Sequence, residues 1–270
     1  MNDDIYTRPS DYDLEHEHDQ QEIAFYLELI RRWKPRRVLD LACGSGRLTI
    51  PLAQLGVDHD FHVTGVDAAE DMLARARAKV RDGDPRIAQS IRFIQSDIRE
   101  FSDDGERYDV VLSTGSSIAH LLTLDDQLAV WRHARAQLRE GGRFVVDVTM
   151  PNFRSFAESL QQPPRVLLEV DLDSAAAHDD RRLVRYKATM FDAYTQRASI
   201  RFFYDRFEGP QQPDRFLSDF ESHVYFPQEL RLLFVHTGFE IENTWADFAF
   251  RPPRSWSRDL IMAGRRAAAV

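Results

Sequence analysis

The sequence predicts an α/β fold built on a doubly wound, mostly parallel sheet, and three observations support this prediction. Short aliphatic runs alternate with segments of helical periodicity between residues 20 and 150. A glycine-rich turn, residues 43–46, joins the first strand-like run to a helical pattern. From Pro151 to Phe226 the alternation stops, and four strand-like runs follow one another with no helical run between them. This change predicts an antiparallel β insertion after the fifth strand.

The first part of the predicted sheet contains five strands. A helix from Gln20 to Trp33 ends before Pro35, and the first strand follows it. The predicted strands are Arg37–Asp40, Phe61–Val66, Ile91–Gln95, Tyr108–Leu112 and Arg143–Val148. The predicted helices of this part are a run from Leu48 that Gly56 ends, Ala69–Val80, and Leu124–Leu138, which Gly141-Gly142 terminates.

After the insertion the chain is expected to return to the same sheet. The predicted insertion strands are Arg165–Val170, Leu183–Phe191, Ala198–Phe207 and Phe216–Phe226. A helix then runs from Pro227 to a cap at Gly238, followed by strand six, Phe239–Asn243, and strand seven, Leu260–Ala263. We therefore expect three regions: an N-terminal lid or helix (1–34), a core (35–150 and 227–270), and an insertion for substrate binding or oligomerisation (151–226).

Charge and cysteine content limit the classes of function. The net charge is −9, which disfavours a nucleic-acid partner because nucleic-acid-binding surfaces are usually basic. Cys43 is the one cysteine, so no disulfide can form within the chain, and a cytoplasmic location is expected. No apolar run reaches the roughly 18 residues that a membrane span needs, so no membrane partner is expected.

The glycine-rich turn and a later acid indicate a ribose-bearing cofactor. Gly44 and Gly46 let a ligand approach the backbone at the start of a helix, where amide N–H groups lack partners. Asp67 ends the second strand, at the distance where an acid binds ribose hydroxyls. A dinucleotide fingerprint has a third glycine where this chain has Thr49, which argues against NAD.

The longer pattern around this turn resembles motif I of the class I S-adenosylmethionine (SAM) methyltransferases. The matching segment is Asp40-Leu41-Ala42-Cys43-Gly44-Ser45-Gly46. Three further segments resemble the family's later motifs in the same order, namely Val66–Leu73, Gln95–Arg99 and Tyr108–Leu112, and Gly141–Phe144 resembles the turn before strand five. The resemblance covers Arg36 to about Val148 and implies a seven-stranded Rossmann-like methyltransferase sheet with SAM as cofactor.

The resemblance also implies roles for residues at one edge of the sheet. Asp67 would bind the ribose hydroxyls, Asp97 would accept a hydrogen bond from the adenine amino group beside Ile98, and Asp40 would help to place the methionine end. Asp67 could instead be a strand-end acid that caps the next helix, and Asp97 could be a solvated turn acid. The remaining predicted cofactor contacts are Ala42, Gly44, Gly46, Ala68, Met72, Ser113 and Thr114.

A segment after strand four carries the predicted catalytic residue. Ser116-Ser117-Ile118-Ala119-His120-Leu121 resembles a segment of the amino-sugar N-methyltransferases, in which the histidine lies near the acceptor nitrogen and an N-terminal tyrosine closes over it. The resemblance implies that His120 removes a proton or orients the amine, with Tyr6 or Tyr12 as the tyrosine. A histidine that only bonds backbone at a helix start is the competing interpretation.

Two charged clusters are weighed against simpler interpretations. Neighbouring residues of a helix face different directions, so we interpret His16-Glu17-His18-Asp19 as a solvated run and expect no metal site. Arg185, Lys187 and Arg201 lie on insertion strands and could bind a diphosphate or carboxylate, or could form an outward polar face.

The sequence therefore favours a SAM-dependent methyltransferase that acts on a nitrogen or oxygen of a small molecule, with an amino sugar or natural-product intermediate as the sharper hypothesis. A catalytically silent SAM-binding protein and an NAD-dependent oxidoreductase are the alternatives, and a protein substrate is left open. The free edges of an antiparallel insertion could pair between subunits, which would give a homodimer.

Overall fold

A computed structural model of the chain describes residues 4–16, 19–103, 105, 107–159, 165–173, 180–209 and 212–267. The chain folds into two units. The core unit contains residues 21–151 and 225–270, and the insertion unit contains residues 1–20 and 152–224. The N-terminal 20 residues thus group with the insertion, whereas the helix that follows them belongs to the core.

The core unit contains a seven-stranded sheet in the order β10-β11-β5-β4-β1-β2-β3. Its strands are β1 (Arg37–Leu41), β2 (His62–Asp67), β3 (Ile91–Gln95), β4 (Tyr108–Ser113), β5 (Leu138–Thr149), β10 (Phe239–Trp245) and β11 (Asp259–Arg266). The first five strands run parallel to one another, and β11 joins β5 and β10 in antiparallel pairs. The predicted doubly wound, mostly parallel sheet is therefore confirmed.

Helices cover both faces of this sheet. They are α2 (Gln20–Trp33), α3 (Thr49–His59), α4 (Glu70–Asp82), α5 (Ile87–Ser90), α6 (Leu124–Gln137) and α8 (Pro227–His236). Successive residues of β1 pack into different hydrophobic clusters, with Val38 in one and Leu39 in the other. Because side chains of a strand alternate between its faces, the two clusters lie on opposite sides of the sheet.

Two predicted boundaries in the core are wrong. Gly56 lies inside α3, which continues to His59. A Cβ at Gly56 would lie 2.5 Å from the carbonyl oxygen of Phe61, so this close approach explains the glycine and a helix end does not. The helix ends instead at Asp60, whose left-handed backbone (φ 54°) caps it. Gly141-Gly142 do not terminate α6 either, since β5 already begins at Leu138 and both glycines lie within the strand.

The insertion unit contains a four-stranded antiparallel sheet in the order β6-β7-β8-β9. Its strands are β6 (Val166–Asp173), β7 (Arg181–Asp192), β8 (Arg197–Glu208) and β9 (Asp214–His223), and its helices are α1 (Pro9–Glu15) and α7 (Phe153–Ser159). Ile5 and Leu14 of the N-terminal segment pack with Leu183, Phe202 and Phe216 of this sheet. The predicted antiparallel insertion is confirmed, and residues 4–16 form part of its hydrophobic core.

Ion pairs also join the N-terminal segment to this sheet. The Arg185 guanidinium donates to Glu15, and the Tyr204 hydroxyl donates to the same carboxylate at 2.9 Å. Burial lowers the pKa of Arg185. Glu169 accepts from Arg185 and from Lys187, and Arg201 forms a two-bond pair with Asp219. The three insertion cations are thus engaged with carboxylates of their own unit.

Metal-ligand groups and membrane-spanning helices concern the described residues only. Within the described ranges, no three His, Cys, Asp or Glu side chains are grouped as metal ligands. His16 bonds Asp19 at 2.7 Å, while Glu17 and His18 lie outside the described residues. No helix in the described part of the chain is long and apolar enough to cross a bilayer.

Candidate active site

Parallel pairing brings the predicted cofactor residues to one edge of the core sheet. Asp40 pairs in register with Gly65, Leu41 pairs with Ser113, and Asp67 is the last residue of β2. Because β1, β2 and β4 run in the same direction, their carboxyl ends meet at one edge. Ligands of open α/β sheets bind outside this edge, so the candidate site begins there.

The turn after β1 requires its glycines. Gly44 and Gly46 have left-handed backbones, with φ of 54° and 79°. A Cβ on Gly44 would lie 3.3 Å from Cε of the buried Met72, and one on Gly46 would lie 2.9 Å from Cδ1 of Ile50. Ala42 is also left-handed (φ 59°), a conformation that costs a non-glycine residue about 1 kcal/mol or more. The turn therefore holds strained backbone close to the end of β1.

Asp67 fastens this turn to the end of β2. Its Oδ2 accepts the amide N–H of Gly44 at 2.7 Å, and its Oδ1 accepts the amide N–H of Ala69 at 2.8 Å. Asp67 is half-buried, and Ala68 beside it is exposed. A carboxylate oxygen can accept more than one hydrogen bond, so each oxygen keeps acceptor capacity for a ligand hydroxyl.

Asp40 is a buried carboxyl at the end of β1 and is only 1% exposed. The Thr49 hydroxyl donates to its Oδ2 at 2.6 Å, whereas Oδ1 has no hydrogen-bond partner among the described residues. Burial raises the pKa of Asp40 to about 7, against the lowering effect of Thr49. Sequence reasoning treats Thr49 only as a missing glycine, but the structure makes it the donor that orients Asp40.

A second ion pair lies beside this acid. Arg47, in the turn, donates to Glu22 of α2 at 2.7 Å, and both side chains are largely buried. Arg47 lowers the pKa of Asp40 and Glu22 raises it. The pair joins residues that are far apart in the chain, and no local sequence pattern predicts it. The one cysteine, Cys43, is buried in the same turn, and burial raises the pKa of its thiol well above the ordinary value.

Asp97 follows β3 and is held by Arg99. The Arg99 guanidinium donates to both carboxylate oxygens, and the Arg99 amide donates to Oδ1 at 2.8 Å. These bonds from Arg99 hold the pKa of Asp97 below its ordinary value. Arg99 also pairs with Asp126 of α6, and Ile98 packs against the core. Asp97 therefore reaches the sheet edge as a charged acceptor that already has one cationic partner.

The loop after β4 carries His120 and is held by hydrogen bonds to buried residues. Ser113 is fully buried, and its hydroxyl bonds the Ser117 hydroxyl at 2.8 Å. Thr114 begins the loop, and residues 117–120 form a 3₁₀ helix that ends at the exposed His120. The buried Ile118 anchors this helix, because its carbonyl accepts the Tyr225 hydroxyl at 3.1 Å.

Asp147, near the end of β5, is an acid of this edge that sequence reasoning missed. It is 3% exposed and accepts the amide N–H groups of Gly115 (3.1 Å) and Ser116 (2.8 Å). The Tyr26 hydroxyl of α2 donates to the same carboxylate at 2.6 Å. Burial raises the pKa of Asp147, and hydrogen bonds from Tyr26 and the two amides oppose this effect. The available signal was an acid inside the aliphatic run Phe144–Val148.

The two candidate tyrosines belong to the insertion unit, whereas His120 belongs to the core unit. Tyr6 and Tyr12 pack against the insertion's hydrophobic cluster, with ring centroids 6.2 Å apart, and the Tyr12 ring lies 4.5 Å from the His16 ring. Their role at the acceptor stays a prediction.

Comparison with known proteins decides the class. Residues 38–142 match the model of a methyltransferase domain. The YqeM protein of Bacillus subtilis (strain 168), a methyltransferase by name, is 27% identical over 234 residues, which cover 87% of this chain and 85% of that protein. The CcbJ methyltransferase of Streptomyces caelestis superimposes with a TM-score of 0.74 and 26% identity, over 92% of this chain and 90% of the other.

This chain is a SAM-dependent methyltransferase. The methyltransferase model covers the glycine-rich turn, β2, β3, β4 and the His120 loop. CalS10 of Micromonospora echinaspora, a SAM-bound amino pentose methyltransferase, shares this fold with a TM-score of 0.67 and 20% identity, over 93% of this chain and 91% of the other. The glycine/sarcosine N-methyltransferase of Parasynechococcus marenigrum (strain WH8102) is 29% identical, over 62% of this chain and 58% of that protein.

The residues of this methyltransferase fit the cofactor. Asp40 Oδ1 is a buried acceptor with no hydrogen-bond partner in the described part of the chain, as expected for an atom that a polar ligand group would satisfy. Gly44 and Gly46 are left-handed and carry no Cβ, which suits close approach of a ligand to the backbone of this turn. Asp67 is already oriented by two amides at the end of β2.

Proposed function

We propose that this methyltransferase transfers a methyl group to a nitrogen or oxygen of a small molecule, with an amino sugar or a related natural-product amine as the sharper hypothesis. The observation that carries the proposal is the position of His120, exposed at the end of a fixed turn after β4, the strand that pairs with β1 at the cofactor edge. Relatives that are named for glycine, sarcosine and an amino pentose support a small amine acceptor.

The proposed cofactor contacts follow from the site. Asp67 would accept the ribose hydroxyls, and Asp97 with Ile98 would contact the adenine. Asp40 would satisfy its Oδ1 on a polar group of the methionine portion, near the backbone of Ala42, Gly44 and Gly46. When bound, SAM supplies a methyl group that its sulfonium already activates. The predicted set is completed by Ala68, Met72, Ser113 and Thr114. In the structure the Ser113 hydroxyl is hydrogen-bonded to the Ser117 hydroxyl.

The protein's own work is then mainly positioning and proton handling. Methyl transfer needs the acceptor atom aligned with the methyl group and water excluded. His120 would hold the acceptor nitrogen or oxygen and take its proton, since an imidazole titrates near neutral pH. The role of Tyr6 or Tyr12 at the acceptor stays a prediction. A cytoplasmic location and a homodimer stay predictions.

Turnover by a His120→Ala variant tests this proposal. The purified full-length protein would be incubated with SAM and a panel of amino sugars, small amines and phenols, and S-adenosylhomocysteine formation would be measured. We expect SAM affinity, measured by calorimetry, to be unchanged and turnover to fall by about 100-fold or more, the usual scale for loss of an acid–base group. Wild-type turnover by the variant would remove His120 from the mechanism. SAM binding with no turnover on any acceptor would favour a silent SAM-binding protein.

A further inference from the structure

The loop that carries His120 adopts a backbone that is costly by itself. Gly115 and Ser116 are both left-handed, with φ of 63° and 57°. Two successive left-handed residues are unusual, and at Ser116 this conformation is sterically unfavourable because the residue has a Cβ, which glycine lacks. Their amide N–H groups point to the same side, onto the carboxylate of Asp147. The carboxylate therefore stabilises a conformation that the loop would not favour alone.

Asp147 is itself held in place from two directions. The Tyr26 hydroxyl donates to Oδ2 at 2.6 Å, and Tyr26 is fully buried. β5 fixes the backbone of Asp147, and two residues later the Thr149 amide donates to the Ser116 hydroxyl at 3.1 Å. The carboxylate thus joins α2, β5 and the loop after β4. No predicted cofactor contact uses it, and it lies below the loop instead of on its exposed side.

We propose that Asp147, oriented by Tyr26, is a positioning residue that sets the location of His120 for methyl transfer. This inference rests on the proposed role of His120. From Ser116 the chain passes directly into the 3₁₀ helix, whose Ile118 carbonyl is bonded by Tyr225. Asp147 fixes the start of this helix and Tyr225 fixes its middle, so both contacts set the backbone position of His120.

Asp147→Asn is the most direct perturbation. An asparagine keeps the size of the side chain but has only one acceptor oxygen. Its NH₂ group would face the amide of Ser116 at the Oδ1 position, or the amide of Gly115 together with the Tyr26 hydroxyl at the Oδ2 position. The loop then loses one of its two amide bonds. Hydrogen exchange of segment 113–121 in the SAM-free protein should become at least about tenfold faster, since hydrogen bonds to a charged group are among the stronger ones.

Catalysis should change in a pattern that a general loss of stability would not give. We expect kcat to fall at least about tenfold, with SAM affinity within twofold of wild type. Tyr26→Phe, which keeps the ring and the Asp147 charge, should shift kcat in the same direction by a smaller factor. It also serves as the second variant where Asp147→Asn fails to fold.

Asp109→Asn is a matched control in the same unit. Asp109, at the other end of β4, also accepts two adjacent backbone amides, those of Arg36 and Arg37, at 2.8 and 2.9 Å. The asparagine loses the ion pair of Asp109 with Arg139 and should lower stability, but kcat and hydrogen exchange of segment 113–121 should be unchanged. If Asp109→Asn lowers kcat as much as Asp147→Asn does, the positioning role is overturned.

A double-mutant cycle completes the test. If Asp147 acts through His120, Asp147→Asn should not slow a His120→Ala enzyme any further. The inference would be overturned if Asp147→Asn lowered the kcat of the His120→Ala enzyme by the same factor as it lowers the kcat of wild type. It would also be overturned if Asp147→Asn had the kcat of wild type while His120→Ala had a lower kcat. Full turnover by His120→Ala alone would instead overturn the proposed role of His120 and, with it, this inference. The two failures are therefore distinguishable.

Discussion

Replacement of Asp40 by asparagine should change how the stability of the core depends on pH. Burial raises the pKa of Asp40 from 3.8 to about 7 in the folded chain. Between these pH values the folded state holds a proton that the unfolded state has released, so the free energy of unfolding falls as pH rises from about 4 to about 7. A shift of roughly three pKa units corresponds to about 4 kcal/mol.

Asparagine at position 40 has no ionisation, and its Oδ1 can still accept from Thr49. The amide NH₂ at the place of the unpartnered Oδ1 adds a cost of about 1–3 kcal/mol that does not depend on pH. The informative quantity is therefore how the difference in free energy of unfolding between variant and wild type changes with pH. Between pH 4 and pH 8, we expect the free energy of unfolding of Asp40→Asn to rise by about 4 kcal/mol relative to that of wild type.

Urea unfolding followed by tryptophan fluorescence measures this difference. All four tryptophans, at positions 33, 131, 245 and 256, lie in the core unit, so the signal reports the unit that contains Asp40. Asp125→Asn, at an exposed position of α6, is the control for the substitution itself. A difference for Asp40→Asn that stays constant within about 1 kcal/mol across this range would refute the reasoning.

Three further predictions follow from named contacts. Asp67→Ala should weaken SAM binding in calorimetry by about 100-fold, as expected for loss of two hydrogen bonds to a charged acceptor, and unchanged affinity would refute the ribose role. Gly264→Ala should lower the free energy of unfolding by about 1–3 kcal/mol, because a Cβ there would lie 2.4 Å from the Phe234 ring; a wild-type urea midpoint would contradict this. Arg185→Met should cost about 3 kcal/mol by leaving the buried Glu15 carboxylate without its cation, and Glu15→Gln in the same chain should recover part of it in thermal unfolding.

Local patterns accounted for most of the core sheet. Apolar runs located β1 to β4 within one or two residues, because each of these strands is a short run rich in apolar residues between clear breaks. They misplaced the start of β5, since a glycine pair usually ends a helix but here lies inside a strand. Gly56 also led to a wrong helix end. A glycine stands there because the Phe61 carbonyl lies close to it in the folded chain.

The sequence predicted some residues of the candidate site, and only the structure shows the contacts of others. The motif order gave Asp40, Asp67 and the glycine turn, and parallel pairing then brings these positions to one edge of the sheet. Thr49 was visible only as an absent glycine, although its hydroxyl is the donor to Asp40. Asp97 was expected as an adenine acceptor, and the structure adds the Arg99 pair that occupies part of its acceptor capacity.

By itself, the sequence determined the class of this protein: an ordered set of methyltransferase motifs on alternating strands and helices, with an antiparallel insertion after strand five. Only the tertiary structure decided what supports the chemistry. Asp147 meets Tyr26 and the amides of Gly115 and Ser116 across three separate elements, and Arg47 meets Glu22 across two. Such contacts depend on distances in the folded chain, and residues far apart in sequence leave no periodic or spacing signal from which to read them.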